Sequence, residues 1–376
     1  MISLHKPYWG EKESTIIRQA LRKSDGVGDG AYTKKLVDLT KKITHAVYAY
    51  TVPSCTHGLE LACRALGIGP GDEVIVPSFT LSSTANCVVL TGARPVFADI
   101  EENTYGIDPK SIIWLITKKT KGIIVVHYAG MPCQMEEIQK IAKKHKLFII
   151  EDAAHCIGAY YKGNMLGTLG DIGVYSFHGT KNVCSGEGGM VVTNNKILAE
   201  KMDIFRSNGT NRSAFLDHRV SLYTWVAPGS SFLMSDILAA LLIPQMKVLS
   251  SITKKRTEIA QQYMNAFRKM KNVHLPSVPK GATPNWHIYA IRFEKASQAQ
   301  LFTANMKGHG VTVTRHYVPL HSSPMGKLLS KNSFQKLPVV EQVAETLVRL
   351  PIYPGLTQKQ TTYIITTAKR AVTVIG

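Results

Sequence analysis

One lysine in this chain is placed unlike the others. Lys181 lies in Ser176-Phe177-His178-Gly179-Thr180-Lys181-Asn182, after an apolar run and before the glycine-rich Gly186-Glu187-Gly188-Gly189. Just upstream, Glu151-Asp152-Ala153-Ala154-His155 closes a second apolar run. An ε-amine with a lowered pKa can form an imine and afterwards act as general base and acid. A carboxylate such as Asp152 can hold a ring nitrogen protonated and so keep the ring an electron sink. That pairing is what pyridoxal 5′-phosphate chemistry requires. Each residue has an ordinary reading when taken alone. A lysine is usually a solvated surface charge, an aspartate after a strand often caps the next helix, and His155 could be a partly buried core histidine. Taken together, the two motifs favour the cofactor reading, with His155 placed to donate to the cofactor's phenolic oxygen. The glycines after Lys181 let backbone approach a flat ligand closely.

An anion site is the second candidate. Thr51-Val52-Pro53-Ser54-Cys55-Thr56-His57-Gly58-Leu59-Glu60 leads into a helix with Leu59, Leu61, Ala62 and Leu66. Free N–H groups at a helix N-terminus attract phosphate. On its own this segment reads equally well as a simply capped helix. With Ser176 it supplies ligands for a cofactor phosphate.

The elements that must carry these groups alternate. Asp72–Ser78, Pro95–Ile100, Gly122–His127, Leu147–Ile150, Val174–Phe177 and Met190–Thr193 read as strands, several of them continuously apolar as in a sheet buried on both faces. Met135 to His145 has helical spacing, with Met135, Ile138, Ile141 and Ala142 on one face. This alternation predicts an α/β fold with a mostly parallel sheet, in which ligands sit beyond the carboxyl ends of strands. The texture changes after Asp236. One long helical stretch is expected from Ile237 to about Phe267, then a proline-rich passage (Pro276, Pro279, Pro284), then strand-like Ile288–Phe293 among helices. We expect a large α/β domain over residues 13–245 and a smaller α+β domain over 246–376, with residues 1–12 packing near the latter.

Composition bounds the remaining classes. A chain of 376 residues is long for one core. With 44% apolar and 19% charged residues it reads as an ordinary soluble globule, with no run long enough to span a bilayer. Met1–Lys6 carries no secretion-signal pattern, so a cytoplasmic protein with reduced thiols is expected. The six cysteines are scattered without metal-ligand spacing, and no metal is expected. The formal charge of +19 raises the question of a nucleic-acid partner. The basic residues are spread out, as in Lys118-Lys119-Thr120-Lys121 and Lys254-Lys255-Arg256, and no aromatic-interleaved platform accompanies them. We read a generally basic surface, or a field that draws in a phosphate-bearing substrate, rather than nucleic-acid or membrane binding.

These motifs and much of the remaining chain resemble the DegT/DnrJ/EryC1/StrS sugar-nucleotide aminotransferases, fold-type-I pyridoxal-phosphate enzymes. The resemblance runs from Gly28-Asp29-Gly30 to Leu350-Pro351. It rests on Pro53-Ser54-Cys55-Thr56, Gly69-Pro70-Gly71-Asp72-Glu73-Val74, Glu151–Ala154, Ser176-Phe177-His178 with Lys181-Asn182, and Gly186–Gly189. Within the family the chain is most similar to dTDP-4-amino-4,6-dideoxygalactose transaminases, through Gly209–Ser213, Tyr223-Thr224-Trp225, Gly229–Asp236 and His316–His321.

The resemblance implies that Lys181 carries the cofactor as an imine and that Asp152 pairs with the pyridine nitrogen. It puts His155 near the phenolic oxygen and Thr56, the His57 backbone and Ser176 on the phosphate. Ser231 stands where many relatives supply an asparagine from the second subunit, which implies a homodimer with shared sites. Leu81 stands where relatives stack an aromatic ring on the cofactor. His321 and Tyr317 fall on the substrate side. The implied reaction moves the amino group of L-glutamate to C4 of a dTDP-4-keto-6-deoxyhexose, for surface polysaccharide. Amination at C3, or of a UDP- or GDP-linked sugar, is the near alternative. Relatives with histidine in place of the lysine remove a hydroxyl group, and Lys181 argues against that chemistry. A non-catalytic pyridoxal-phosphate-binding regulator is the rival from another class, disfavoured by the intact Lys181/Asp152 pair.

Overall fold

A computed structural model describes residues 1–330 and 336–375. Its main sheet has seven strands: β1 (Tyr48–Val52), β2 (Glu73–Pro77), β3 (Arg94–Ala98), β4 (Thr120–Val126), β5 (Phe148–Asp152), β6 (Ile172–Ser176) and β7 (Gly189–Thr193). Their spatial order is β1-β7-β6-β5-β4-β2-β3. Strands β3, β2, β4, β5 and β6 pair in parallel, while β7 runs against both β6 and β1. Every residue of β2, β6 and β7 is buried, which is why these segments read as unbroken apolar runs.

Helices cover both faces of the sheet. Helix Cys55–Ala65 buries Leu59, Leu61 and Ala62, and helix Met135–His145 buries Met135, Ile138 and Ala142. Ser54 starts the first by accepting the His57 N–H at its side chain. The expected α/β architecture, a large mixed sheet flanked by helices, is thus present.

A second, antiparallel sheet contains β8 (Val273–His274), β9 (Tyr289–Phe293) and β10 (Leu347–Leu350), in the order β8-β9-β10. Helices Ala296–Gly308 and Gln358–Ile375 share its apolar cluster, with Phe302, Met306, Ile364 and Ala368 packed around Tyr289, Ile291 and Val348.

The expected single helix after Asp236 is two. Helices Asp236–Lys247 and Leu249–Phe267 meet at Val248 with a bend of 63°. The bend lets one apolar stripe serve two cores. Met246, Leu249 and Ile252 pack with the main-sheet cluster, whereas Ile259, Tyr263 and Phe267 pack with the second sheet. No single described helix is long and apolar enough to cross a membrane.

The first residues touch both parts. Ile2 bridges Val311 and the Leu4 carbonyl accepts the Ile352 N–H, while the Trp9 indole donates to the Cys184 carbonyl beside the main sheet.

Candidate active site

A cavity of about 520 Å³ opens beyond the carboxyl ends of β5 and β6. Asp152 is the last residue of β5, and strand alternation sends it and its neighbour in opposite directions. Glu151 goes into the scaffold. There it accepts the N–H groups of Gly167 (2.7 Å), Leu169 (2.5 Å) and Gly170 (2.5 Å), and pairs with His127 Nε2 at 2.8 Å. Asp152 goes to the cavity. Its Oδ2 accepts from Thr84 Oγ1 at 2.8 Å and its Oδ1 from the Ala154 N–H at 3.2 Å. Burial raises the Asp152 carboxyl pKa above its ordinary value, against the pull of those hydrogen bonds and of the Lys181 charge. A buried carboxylate held on both oxygens and facing a cavity suits a cationic ring nitrogen.

Lys181 lies in the hairpin that joins β6 to the reversed β7. Phe177 N–H donates to the Gly188 carbonyl (2.8 Å), Gly179 N–H to Gly186 (2.8 Å), and Lys181 N–H to His178 (2.9 Å). One glycine here makes a contact that the sequence did not show. Gly188 has φ of 156°, and a Cβ on Gly189 would lie 2.7 Å from the Ser54 carbonyl carbon. Backbone-to-backbone contact therefore seats the lysine hairpin directly against the start of helix Cys55–Ala65. Burial lowers the Lys181 pKa to about 8, the Arg349 charge adding to the drop and Cys55 and Asp152 opposing it. About a tenth of this amine is thus neutral and nucleophilic at pH 7, far more than of an ordinary lysine.

His155 reaches the same cavity. The Ala129 N–H donates to its Nδ1 at 3.3 Å, which leaves the proton of the neutral ring on Nε2, a donor. Ala129 adopts a left-handed conformation (φ 60°) to present that N–H, a local strain spent on orienting the ring. Burial and the Lys181 charge hold His155 well below the usual histidine range. His287 packs on it with ring centroids 4.5 Å apart. His287 is fixed through Nδ1 by Asn182 Oδ1 at 3.0 Å, so the residue after the lysine also locks the far side of the site.

The phosphate reading needs one correction. The His57 N–H donates to Ser54 Oγ (3.2 Å) and is not available, because Ser54 caps the helix. Among the described residues, the N–H groups of Cys55 and Thr56 are left without an acceptor. Thr56 Oγ1 and Ser83 Oγ lie 2.8 Å apart, and both residues line the cavity with Ser176. These hydroxyls and the two N–H groups form a cradle for a phosphate. Phosphate cradle, ring-nitrogen carboxylate and amine on one cavity fit pyridoxal 5′-phosphate.

Other expected residues divide. Leu81 lines the cavity at 57% exposure, and Tyr317 lines it among the rings of Phe79, Tyr128 and His316. His321 does not line it. Its Nδ1 lies 2.7 Å from Ser78 Oγ and its Nε2 3.3 Å from Glu341, so it ties the β2 loop to helix Pro338–Thr346. Ser231 is exposed on a bridge to Ser207, away from this chain's own cavity.

Residues to which the sequence assigned no role, His316 within a matched motif among them, form another wall. Arg349 on β10, His316 and His287 all line the cavity. Arg349 donates to His316 Nε2, and His316 Nδ1 lies 3.3 Å from the Tyr128 hydroxyl. Leu350-Pro351 carries part of the resemblance, but nothing in the local pattern says that the preceding arginine turns inward.

Comparison with known proteins gives the family. A model of the DegT/DnrJ/EryC1/StrS aminotransferase family matches residues 7–369. The chain belongs to that family. It is 34% identical to the spore coat polysaccharide biosynthesis protein SpsC of Bacillus subtilis, over 93% of this chain and 92% of that one. It is 33% identical to GDP-perosamine synthase of Escherichia coli O157:H7, over 96% of each. Among solved structures it resembles the pyridoxal-phosphate form of the putative sugar aminotransferase Spr1654 of Streptococcus pneumoniae. That match has a TM-score of 0.91 and 27% identity, and covers 100% of this chain and 99% of the other. This family member is an aminotransferase, and pyridoxal 5′-phosphate is its cofactor.

Proposed function

We propose that this enzyme transfers the amino group of L-glutamate to C4 of a nucleotide-linked 4-keto-6-deoxyhexose, dTDP-linked by the sequence resemblance, on a route to surface polysaccharide. The observation that carries the reading is the convergence of the Lys181 amine and the Asp152 carboxylate on one cavity. Relatives named as sugar aminotransferase, GDP-perosamine synthase and spore coat polysaccharide protein support a sugar acceptor. Bound pyridoxal 5′-phosphate supplies an electron sink for the carbon that loses its proton. Lys181 carries the cofactor and, once released, moves that proton on one face of the site. Asp152 holds the ring nitrogen cationic, and His155 Nε2–H donates to the ring oxygen. Cys55 and Thr56 N–H groups with Ser83 and Ser176 hold the phosphate. Leu81 covers the ring and excludes water without the stacking an aromatic would add.

In this reading the enzyme works in the cytoplasm as a homodimer, and Ser231 of each chain completes the partner's phosphate site. Residues 13–245 form the cofactor domain, and 246–376 form the smaller one. A GDP-linked acceptor is the second reading, favoured by the 33% identity to GDP-perosamine synthase. Product NMR after incubation with L-glutamate and a panel of dTDP-, GDP- and UDP-linked keto sugars tests both. A C4 amine on the dTDP sugar alone supports the first, on the GDP sugar alone the second. No amination of any sugar in the panel overturns the proposal.

A further inference from the structure

The most enclosed arginines of this chain are neutralised or held by oxygen acceptors, with one exception. Arg206 donates to Asp29 at 2.8–3.0 Å and to Asp203 at 3.3 Å. Arg256 donates to the carbonyls of Trp286, His287 and Ile352. Arg292 pairs with Glu102. Arg349 has neither a carboxylate within ion-pair distance nor a carbonyl acceptor among the described residues, and its buried Nε, like those of Arg256 and Arg292, has no hydrogen-bond partner. Its one side-chain partner is the His316 ring, a neutral acceptor. A guanidinium taken out of water without an anion is costly to leave in that state. Its planar fork fits a carboxylate through two parallel hydrogen bonds.

Position selects the ligand. Arg349 lines the cavity together with Lys181, and its charge acts on Lys181, His155, His287 and His316. Its backbone is pinned on both sides. It pairs with Ala290 on β9, and its N–H donates to the Thr314 carbonyl at 2.8 Å. His316 packs flat on Tyr317 at 4.1 Å, which fixes the ring that Arg349 leans on. The cation is therefore preorganised beside the reacting amine. An amino acid donor carries its carboxylate on the carbon that must sit there. A sugar nucleotide carries its diphosphate across the whole sugar ring from C4, farther from Lys181. The phosphate cradle at Cys55 and Thr56 already accounts for the cofactor's own anion.

We propose that Arg349 binds the α-carboxylate of the amino donor, held in line by His316 and Tyr317. This assignment rests on the aminotransferase reading above and adds the group that selects α-amino acids. A single fork serving the donor half-reaction lets the ketone substrate, which lacks that carboxylate, occupy the same cavity afterwards.

The test compares L-glutamate with 4-aminobutanoate, which lacks the α-carboxylate, on the holoenzyme and its Arg349→Gln and Arg349→Lys variants. The readouts are the change in visible cofactor absorption on adding each donor, and the separate KM values for donor and keto sugar. Wild type should prefer L-glutamate strongly. R349Q should lose about 10–100-fold in kcat/KM for L-glutamate, the loss of a charge-assisted contact, with 4-aminobutanoate and the keto-sugar KM changing less than about threefold. R349K should fall between them, because it keeps the charge and loses the fork. If R349Q does not fold, the R349K ratio of the two donors decides. Equal L-glutamate response in wild type and a folded variant overturns the assignment, as does a loss confined to the keto-sugar KM. A wild type whose absorption responds to no L-amino acid overturns the aminotransferase reading as well.

Discussion

The two walls of the cavity are built on opposite terms. On the main-sheet wall the anchoring side chains have protein partners in place: both oxygens of Asp152 are held, Thr56 meets Ser83, and the lysine hairpin is fastened by backbone hydrogen bonds, while the Cys55 and Thr56 N–H groups and the Lys181 amine face the cavity. On the wall from the later part of the chain, Arg349 keeps donors unspent and the histidines stay neutral. A wall with satisfied groups suits a ligand that stays, the cofactor. A wall with a cation in reserve suits ligands that come and go.

The sharpest way to break this comparison is Lys181→Ala. Turnover should fall by at least about 10³-fold, since both the covalent hold and the proton carrier are lost. Circular dichroism and melting should change little, and retained activity would refute the assignment. Asp152→Asn comes next. Asparagine keeps most of the shape but not the charge, so activity should fall about 10²–10³-fold, with a blue-shifted or weakened cofactor band reporting loss of the ring's positive charge. Activity within a few-fold of wild type would remove Asp152 from that role.

The pH dependence sharpens the lysine's part. The neutral amine is the nucleophile, and its pKa is lowered to about 8, so its population rises with pH. Uptake of pyridoxal 5′-phosphate by the apoprotein, followed by stopped-flow absorbance, should quicken about tenfold from pH 7 to pH 9. A flat profile, or a decline, would show that this amine does not limit the step. The smallest effect is expected from Thr84→Val, which removes one donor from a carboxylate that keeps the Ala154 N–H. A loss of about 1 kcal/mol in stability and up to about tenfold in cofactor affinity is expected, measured by denaturant titration and cofactor release. No change in either would mean that Thr84 does not hold Asp152.

Local pattern carried the first wall and not the second. Asp152 follows its strand directly, and Lys181 sits between two strands that pair, so the fold class is enough to bring them to one end of the sheet. The same kind of reading does not show which hydrogen bonds form. His57 N–H was expected to face phosphate, yet Ser54 takes it at 3.2 Å. His321 was expected by the substrate, yet Ser78 and Glu341 hold it outside the cavity lining. Of the glycines after Lys181, Gly189 serves a backbone contact with Ser54. The helix break at Val248 had a signal that the apolar stripe masked: Pro244 stands four residues before it, and the first half is apolar nearly all round whereas the second is amphipathic.

The amino-acid sequence by itself determined the alternating α/β layout, the lysine between β6 and β7, the carboxylate that ends β5 and the capped helix that starts at Cys55. Each is written in residues a few positions apart, where strand period and capping rules act. Only the tertiary structure decided that Arg349, His316 and His287 come within reach of Lys181. These residues are separated from it by more than a hundred positions of chain, and their approach depends on β10 pairing with β9 and on Asn182 holding His287. Such contacts follow from how two apolar cores close on each other, and no short stretch of sequence encodes that geometry.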